Sequence, residues 1–148
     1  MPQNKKFIKI DSETVRLNDL ENFIEEVFES FGLSHNDFHR SMLCLKEAVT
    51  NSIVHGNKLD RSKQVSVMAY KCSKYLYFKV IDEGDGFDYT IIEDPTKKEN
   101  ILKESGRGLF LIKNICDGVS FKEKGKVMEI KINLHEMNHD QILTNRKE

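Results

Sequence analysis

"EAVTNSIVHGN", Glu47 to Asn57, sets Glu47, Asn51 and His55 four residues apart. On a helix, side chains at that spacing stack in one row. The apolar positions Phe38, Met42, Leu45, Val49 and Ile53 lie roughly opposite. The segment therefore reads as one amphipathic helix, starting after Ser34 with Asp37 as capping-box partner and running to about Gly56. A solvated face would be the plain explanation of the polar row. Cys44, Ala48 and Val54 flank it, however, and leave little width for such a face. A mid-helix asparagine is also a mediocre helix former. A carboxylate and an amide oxygen one turn apart suit a hard, hydrated cation such as Mg2+. The same carboxylate can take a proton from a hydroxyl or water. His55, near the expected helix end, has the more ordinary role of meeting the last carbonyls.

Upstream, Lys6–Ile10 reads as a short strand. Leu17, Leu20, Ile24, Val27, Phe28 and Phe31 follow at helical spacing, with Asn18 and Glu21 as a capping pair and Gly32 as the stop. Downstream, Val65, Val67 and Ala69 alternate with Ser66, Met68 and Tyr70. After "KCSK", Leu76, Phe78 and Val80 alternate with Tyr77, Lys79 and Ile81, which predicts an antiparallel hairpin. A third helix fits Gly108 to about Cys116. A second hairpin follows, with Val119 and Phe121, a turn near Gly125, then Met128, Ile130, Ile132 and Leu134. The resulting expectation is an α+β fold with helices on one face of a mostly antiparallel sheet. Residues 135–148 form a polar tail. Glu83–Ser105 is too long for an ordinary connection and reads as a lid or a surface excursion.

Four of the eight glycines fall in two pairs, Gly84/Gly86 in "DEGDGFD" and Gly106/Gly108 in "SGRGLF". The first pair follows a strand and the second opens a helix. Glycine there permits close backbone approach, and free N–H groups at a helix start favour an anion such as phosphate. Each pair alone is explained by turns. Neither completes GxGxxG, because Tyr89 and Leu111 occupy the third places, and no P-loop GK[ST] occurs. Asp82 ends an apolar strand just ahead of the first pair, where it can cap the turn or accept a hydrogen bond from an exocyclic amine.

The bulk composition excludes several classes. With 23 basic and 24 acidic residues among 148, no general polyanion-binding surface is available. Three separated cysteines, Cys44, Cys72 and Cys116, form no CxxC and read as free thiols in a reducing compartment. No secretory leader is visible, and no apolar run approaches the roughly 18 residues that span a bilayer. The expectation is a cytoplasmic protein without direct nucleic-acid or membrane partners.

"EAVTNSIVHGN", "DEGDGFD" and "SGRGLFLIKNICD", in this order, resemble the N, G1 and G2 boxes of the Bergerat-fold (GHKL) ATP-binding superfamily. Within it the chain looks most like the small bacterial anti-sigma factor serine-protein kinases. The resemblance covers nearly the whole chain, and its specificity lies in the three boxes together. It implies a two-layer α/β sandwich, a mostly antiparallel mixed sheet covered on one face by about three helices. It implies a single ATP-binding kinase domain over residues 1–134, with ATP and Mg2+ as cofactors. Glu47 would be the catalytic base and Asn51 the metal ligand. Asp82 would bind the adenine amino group, with Gly84 and Gly86 against the base. Ser105, Gly106, Arg107, Gly108 and Leu109 would surround the phosphates, and His55 completes the nucleotide-binding set. Arg107 departs in emphasis, since many relatives carry an uncharged residue there.

The resemblance further implies phosphorylation of a serine on a STAS-type anti-anti-sigma partner, sequestration of a sigma factor or another regulator, and a homodimer. The competing expectation is a non-catalytic ATP- or ADP-dependent binding module. Glu47 favours the enzyme, because a pure binding module needs no base opposite the phosphates. The catalytic half of a histidine kinase is disfavoured, as no phospho-accepting helical hairpin precedes the boxes.

Overall fold

The computed structural model describes residues 5–13, 16–86 and 112–135. Strand β1 (Lys5–Asp11) leads to helix α1 (Leu17–Phe31), which buries Leu20, Phe23, Ile24, Val27 and Phe28. Gly32 ends α1 as expected, at φ +64°, a conformation that costs glycine little. The predicted Asn18/Glu21 capping pair does not form. Arg16 occupies the cap position with helical dihedrals, so Asn18 already lies inside the first turn. Ser34 caps a short 3-10 turn, His35–Asp37, by accepting from Asn36 N at 3.2 Å. Helix α2 (Phe38–Asn51) begins only after it.

Two hairpins complete the sheet: β2 (Gln64–Cys72) with β3 (Tyr75–Ile81), and β4 (Gly118–Lys122) with β5 (Val127–Asn133). The strand order is β1-β2-β3-β5-β4, and every described pairing is antiparallel. Register puts the apolar sets on one face. Ile8 pairs with Val67 and Val67 with Val80, while Ala69 pairs with Phe78 and Phe78 with Ile130. With period 2, a slip of one residue would turn that whole set outward, so burial of this face fixes the register. α1, α2 and the helical segment at 112–115 cover it, and Ile24, Leu45, Val49, Ile53 and Ile112 join the core. The α+β sandwich is therefore the observed architecture.

Cys44 and Cys116 are buried free thiols and Cys72 is exposed. Cys44 meets Cys116 across the core, and this hydrogen bond together with burial pushes its thiol up. The opposite sheet face is half-buried. There Tyr70 and Tyr77 stack at 5.0 Å, and Tyr70 OH donates to Glu129 Oε2 at 2.8 Å. Among the described residues, no helix is long and apolar enough to cross a membrane.

A polar clasp holds the start of α2. Asp37, 1% exposed, does not serve as the predicted capping-box partner. Its carboxylate takes Arg40 Nη2 at 3.0 Å, His135 N at 2.8 Å and His135 Nδ1 at 2.6 Å. Arg40 also donates to Asn133 O at 2.6 Å and Asp117 Oδ2 at 3.1 Å. These partners lie up to 98 residues away in sequence, out of reach of any local capping rule.

Candidate functional site

The far end of α2 departs from a regular helix. Its α geometry stops at Asn51, and Ser52–Gly56 continues as one wider π turn. There Asn57 N donates to Ser52 O at 2.8 Å, an i→i−5 bond. Such turns are rare and often occur at functional sites. Four residues no longer complete a turn, so the predicted row of Glu47, Asn51 and His55 is interrupted after its second member. His55 is exposed on the π turn, while Glu47 is half-buried one turn before Asn51. Asn51 is 7% exposed, yet its side chain makes no hydrogen bond to any described residue. Its amide atoms are not among the buried unpaired ones, where Ser41 Oγ stands alone among the described residues, so the amide end reaches the surface and is open to a ligand.

Asp82 stands just past the end of β3, 5% exposed. Its N–H donates to Lys126 O at 3.0 Å, and its Oδ1 accepts from Gly84 N at 2.9 Å. Burial pushes this carboxyl above the usual carboxylate range, while the Gly84 N–H and the charges of Lys126 and Lys63 partly oppose it. Two glycines make the surroundings possible. A Cβ on Gly56 would fall 2.6 Å from Asp82 Cγ, and one on Gly84 would collide with the carbonyl of Gly56. The π turn, the Asp82 carboxylate and Gly84 thus meet in close contact. Gly86, at φ +92°, packs in the same way on Lys124 in the β4–β5 turn, where a Cβ would lie 2.9 Å from Lys124 Cβ.

One residue of the site escaped the sequence reading. Asn57, 1% exposed, uses its whole amide. Nδ2 donates to Ser12 Oγ at 2.9 Å and Gln64 O at 3.1 Å, and Oδ1 accepts from Glu83 N at 2.7 Å. The only sequence signal is an asparagine placed directly after the glycine of "HGN". Ser105, Gly106, Arg107, Gly108 and Leu109, with most of the predicted lid, lie outside the described residues.

The arrangement has a definite chemical capacity. Helix α2 offers a half-buried carboxylate, Glu47, and, one turn on, the amide of Asn51. Beyond the π turn that follows them stands a buried acid, Asp82, packed against Gly56. Among the described residues no group of three or more His, Cys, Asp or Glu could hold a metal. That donor set suits Mg2+, which keeps several waters and is commonly shared between one or two protein oxygens and substrate phosphates. Asn51, one helical turn from Glu47 and with its amide end open to the surface, fits such a role.

Comparison with known proteins bears on the family and the fold. A family model described as "Histidine kinase-like ATPase domain" matches residues 10–132. Serine-protein kinase RsbW of Staphylococcus aureus strain MSSA476 is 32% identical over 107 residues, 67% of each chain. The same kinase from strain JH9 matches to the same extent, 32% over 107 residues. A crystal structure of the RsbU and RsbW domains of Rv1364c from Mycobacterium tuberculosis superposes with a TM-score of 0.64 at 16% identity. The alignment covers 92% of this chain but only 34% of that longer one, and at this identity it speaks for the fold.

Proposed function

The chain belongs to the histidine kinase-like ATPase domain family, and on that premise we propose that it is an ATP-dependent serine-protein kinase of the anti-sigma type. Residues 1–134 form its single ATP-binding domain, followed by the polar tail from His135. Asn51 carries the reading: a largely buried asparagine one helical turn from the Glu47 carboxylate, on the helix whose continuation at Gly56 packs against Asp82. The relatives named serine-protein kinases support the same direction.

In this reading Asp82 accepts a hydrogen bond from the exocyclic amine of adenine, and the packed backbone at Gly84 and Gly86 lets the base lie close. Asn51 holds Mg2+, which neutralises phosphate charge when bound. Glu47 orients the attacking serine hydroxyl and takes its proton. Gly106, Arg107 and Gly108 receive the phosphates at a helix start, with Ser105, Leu109 and His55 completing the surroundings. Phosphoryl transfer needs mainly positioning and charge neutralisation, so this short set of groups is chemically sufficient. The acceptor is a serine of a STAS-type anti-anti-sigma protein. A sigma factor or another regulator is the second partner, held by a cytoplasmic homodimer. Nucleotide state and partner affinity are then linked by one coupling free energy.

Incubation with labelled ATP, Mg2+ and a STAS-domain partner tests this. Label on a partner serine is expected. Glu47→Ala should abolish transfer and leave ATP affinity within about threefold, since its role is in the reaction step. Tight binding of ATP without transfer by the wild-type chain would instead identify a nucleotide-dependent binding module.

A further inference from the structure

The four glycine and asparagine positions around Asp82 are not independent. Asn57 follows Gly56, whose backbone touches the Asp82 carboxylate, and it accepts from the N–H of Glu83, the residue after Asp82. The orientation of its amide is dictated by its partners. The N–H of Glu83 can only donate and the carbonyl of Gln64 can only accept. Through Ser12 and Gln64 the same amide is anchored where β1 ends and β2 begins. Glu83 is held a second time, its Oε2 accepting from Gln64 N at 2.9 Å. On the far side the N–H of Asp82 is fixed by Lys126 O. Asp82 and Glu83 are therefore tied on both sides, Asp82 to Lys126 just ahead of β5 and the Glu83 side chain to Gln64 of β2, while Asn57 holds the N–H of the peptide between them and leads back to α2.

We propose that Asn57 is a positioning residue for base selection: it locks the Asp82–Glu83 peptide to the end of the helix that carries Glu47 and Asn51. This rests on the nucleotide reading above and adds to it a reason for the spacing between the base-binding and phosphate-binding walls. A misplacement of about 1 Å is enough to cost on the order of a hundredfold in a preorganised site. A rigid amide with all its hydrogen-bonding groups engaged is suited to prevent it.

The test is calorimetric titration of wild type, Asn57→Ala and Ser12→Ala with Mg-ATP, Mg-GTP and Mg-tripolyphosphate. It is run in the cold, with folding checked by circular dichroism. Wild type must prefer ATP over GTP; if it binds neither, the nucleotide reading itself fails. Asn57→Ala is expected to reduce the ATP-over-GTP ratio at least tenfold while tripolyphosphate affinity stays within about threefold. Ser12→Ala loosens the same clasp but keeps the Glu83 contact, and it should leave the ratio unchanged. An unaltered ratio in folded Asn57→Ala, or an equal loss in Ser12→Ala, overturns the proposal. Should Asn57→Ala fail to fold, amide hydrogen exchange of the wild-type chain decides. The Glu83 N–H should be protected at least a hundredfold without nucleotide, and exchange at the rate of an open loop overturns the assignment.

Discussion

The two ends of α2 both bury an aspartate, and they treat it in opposite ways. The helix has 14 residues, which separates its ends by about 20 Å. At the first end Asp37 is closed by Arg40 and by two groups of His135, and Arg40 in turn meets Asn133 and Asp117. At the second end the Asp82 carboxylate receives only the N–H of Gly84 among the described residues. A satisfied polar network rigidifies a fold, whereas a half-satisfied one weakens it. The difference teaches that the first end is closed by charged partners, while on the proposed function the second is the end that receives a ligand, since proteins break local rules mainly where they function.

Mutations can break or sharpen that contrast. The largest effect is expected for Gly84→Ala, whose methyl group would collide with the backbone of Gly56. A loss of about 3 kcal/mol or more in urea denaturation, with loss of ATP binding, is predicted. Asp37→Ala should cost about 2–3 kcal/mol by removing charge-assisted hydrogen bonds, yet leave ATP affinity within about twofold. If it impaired binding as strongly as Gly84→Ala, the division between the two ends would be wrong.

Asp82→Asn should have the reverse profile. It removes a buried charge and is expected to raise stability by about 1 kcal/mol while reducing ATP affinity by about ten- to a hundredfold. The pH dependence has a fixed sign. Asp82 titrates higher in the folded chain than its ordinary 3.8, so its charged form is a cost above the folded value. The cost falls as pH drops through that value and is gone below 3.8. The stability advantage of Asp82→Asn over wild type should therefore shrink on acidification, read from denaturation curves between neutral pH and about pH 4. The smallest effect belongs to Ser41, whose Oγ is buried in α2 without a hydrogen-bond partner among the described residues. Ser41→Ala should raise the melting temperature slightly, by under about 1 kcal/mol of stability, and leave ATP binding untouched.

The strands were legible because Val65, Val67 and Ala69, or Leu76, Phe78 and Val80, carry a period-2 pattern that one buried face enforces. Gly32 was legible for a similarly local reason, its left-handed stop. Asp82 and Gly84 could be suspected from their order in the chain. What they touch could not be. The π turn brings Gly56 against an aspartate 26 residues further on, and no helical periodicity foretells it. Asn57 takes partners from the ends of three strands. Asp37 fitted a capping rule, but tertiary partners offering charge and additional donors claimed its carboxylate. Local pattern therefore revealed the layers and where the polar residues collect, while the use of each polar group was decided by distant contacts.

The strand order has a consequence for how this chain can vary. β3 pairs with β5, so Ile81 lies opposite Val127, and the chain between these two positions rejoins the sheet through β4. The entropy of closing such a loop grows only logarithmically, about 0.6 kcal/mol for each doubling of its length. Insertions between β3 and β4 are thus tolerated thermodynamically while the ladder keeps its register. The same topology makes the central pairing non-local, a feature of slow-folding proteins. Evolution is left with a stretch it can lengthen or shorten between two strands it must keep.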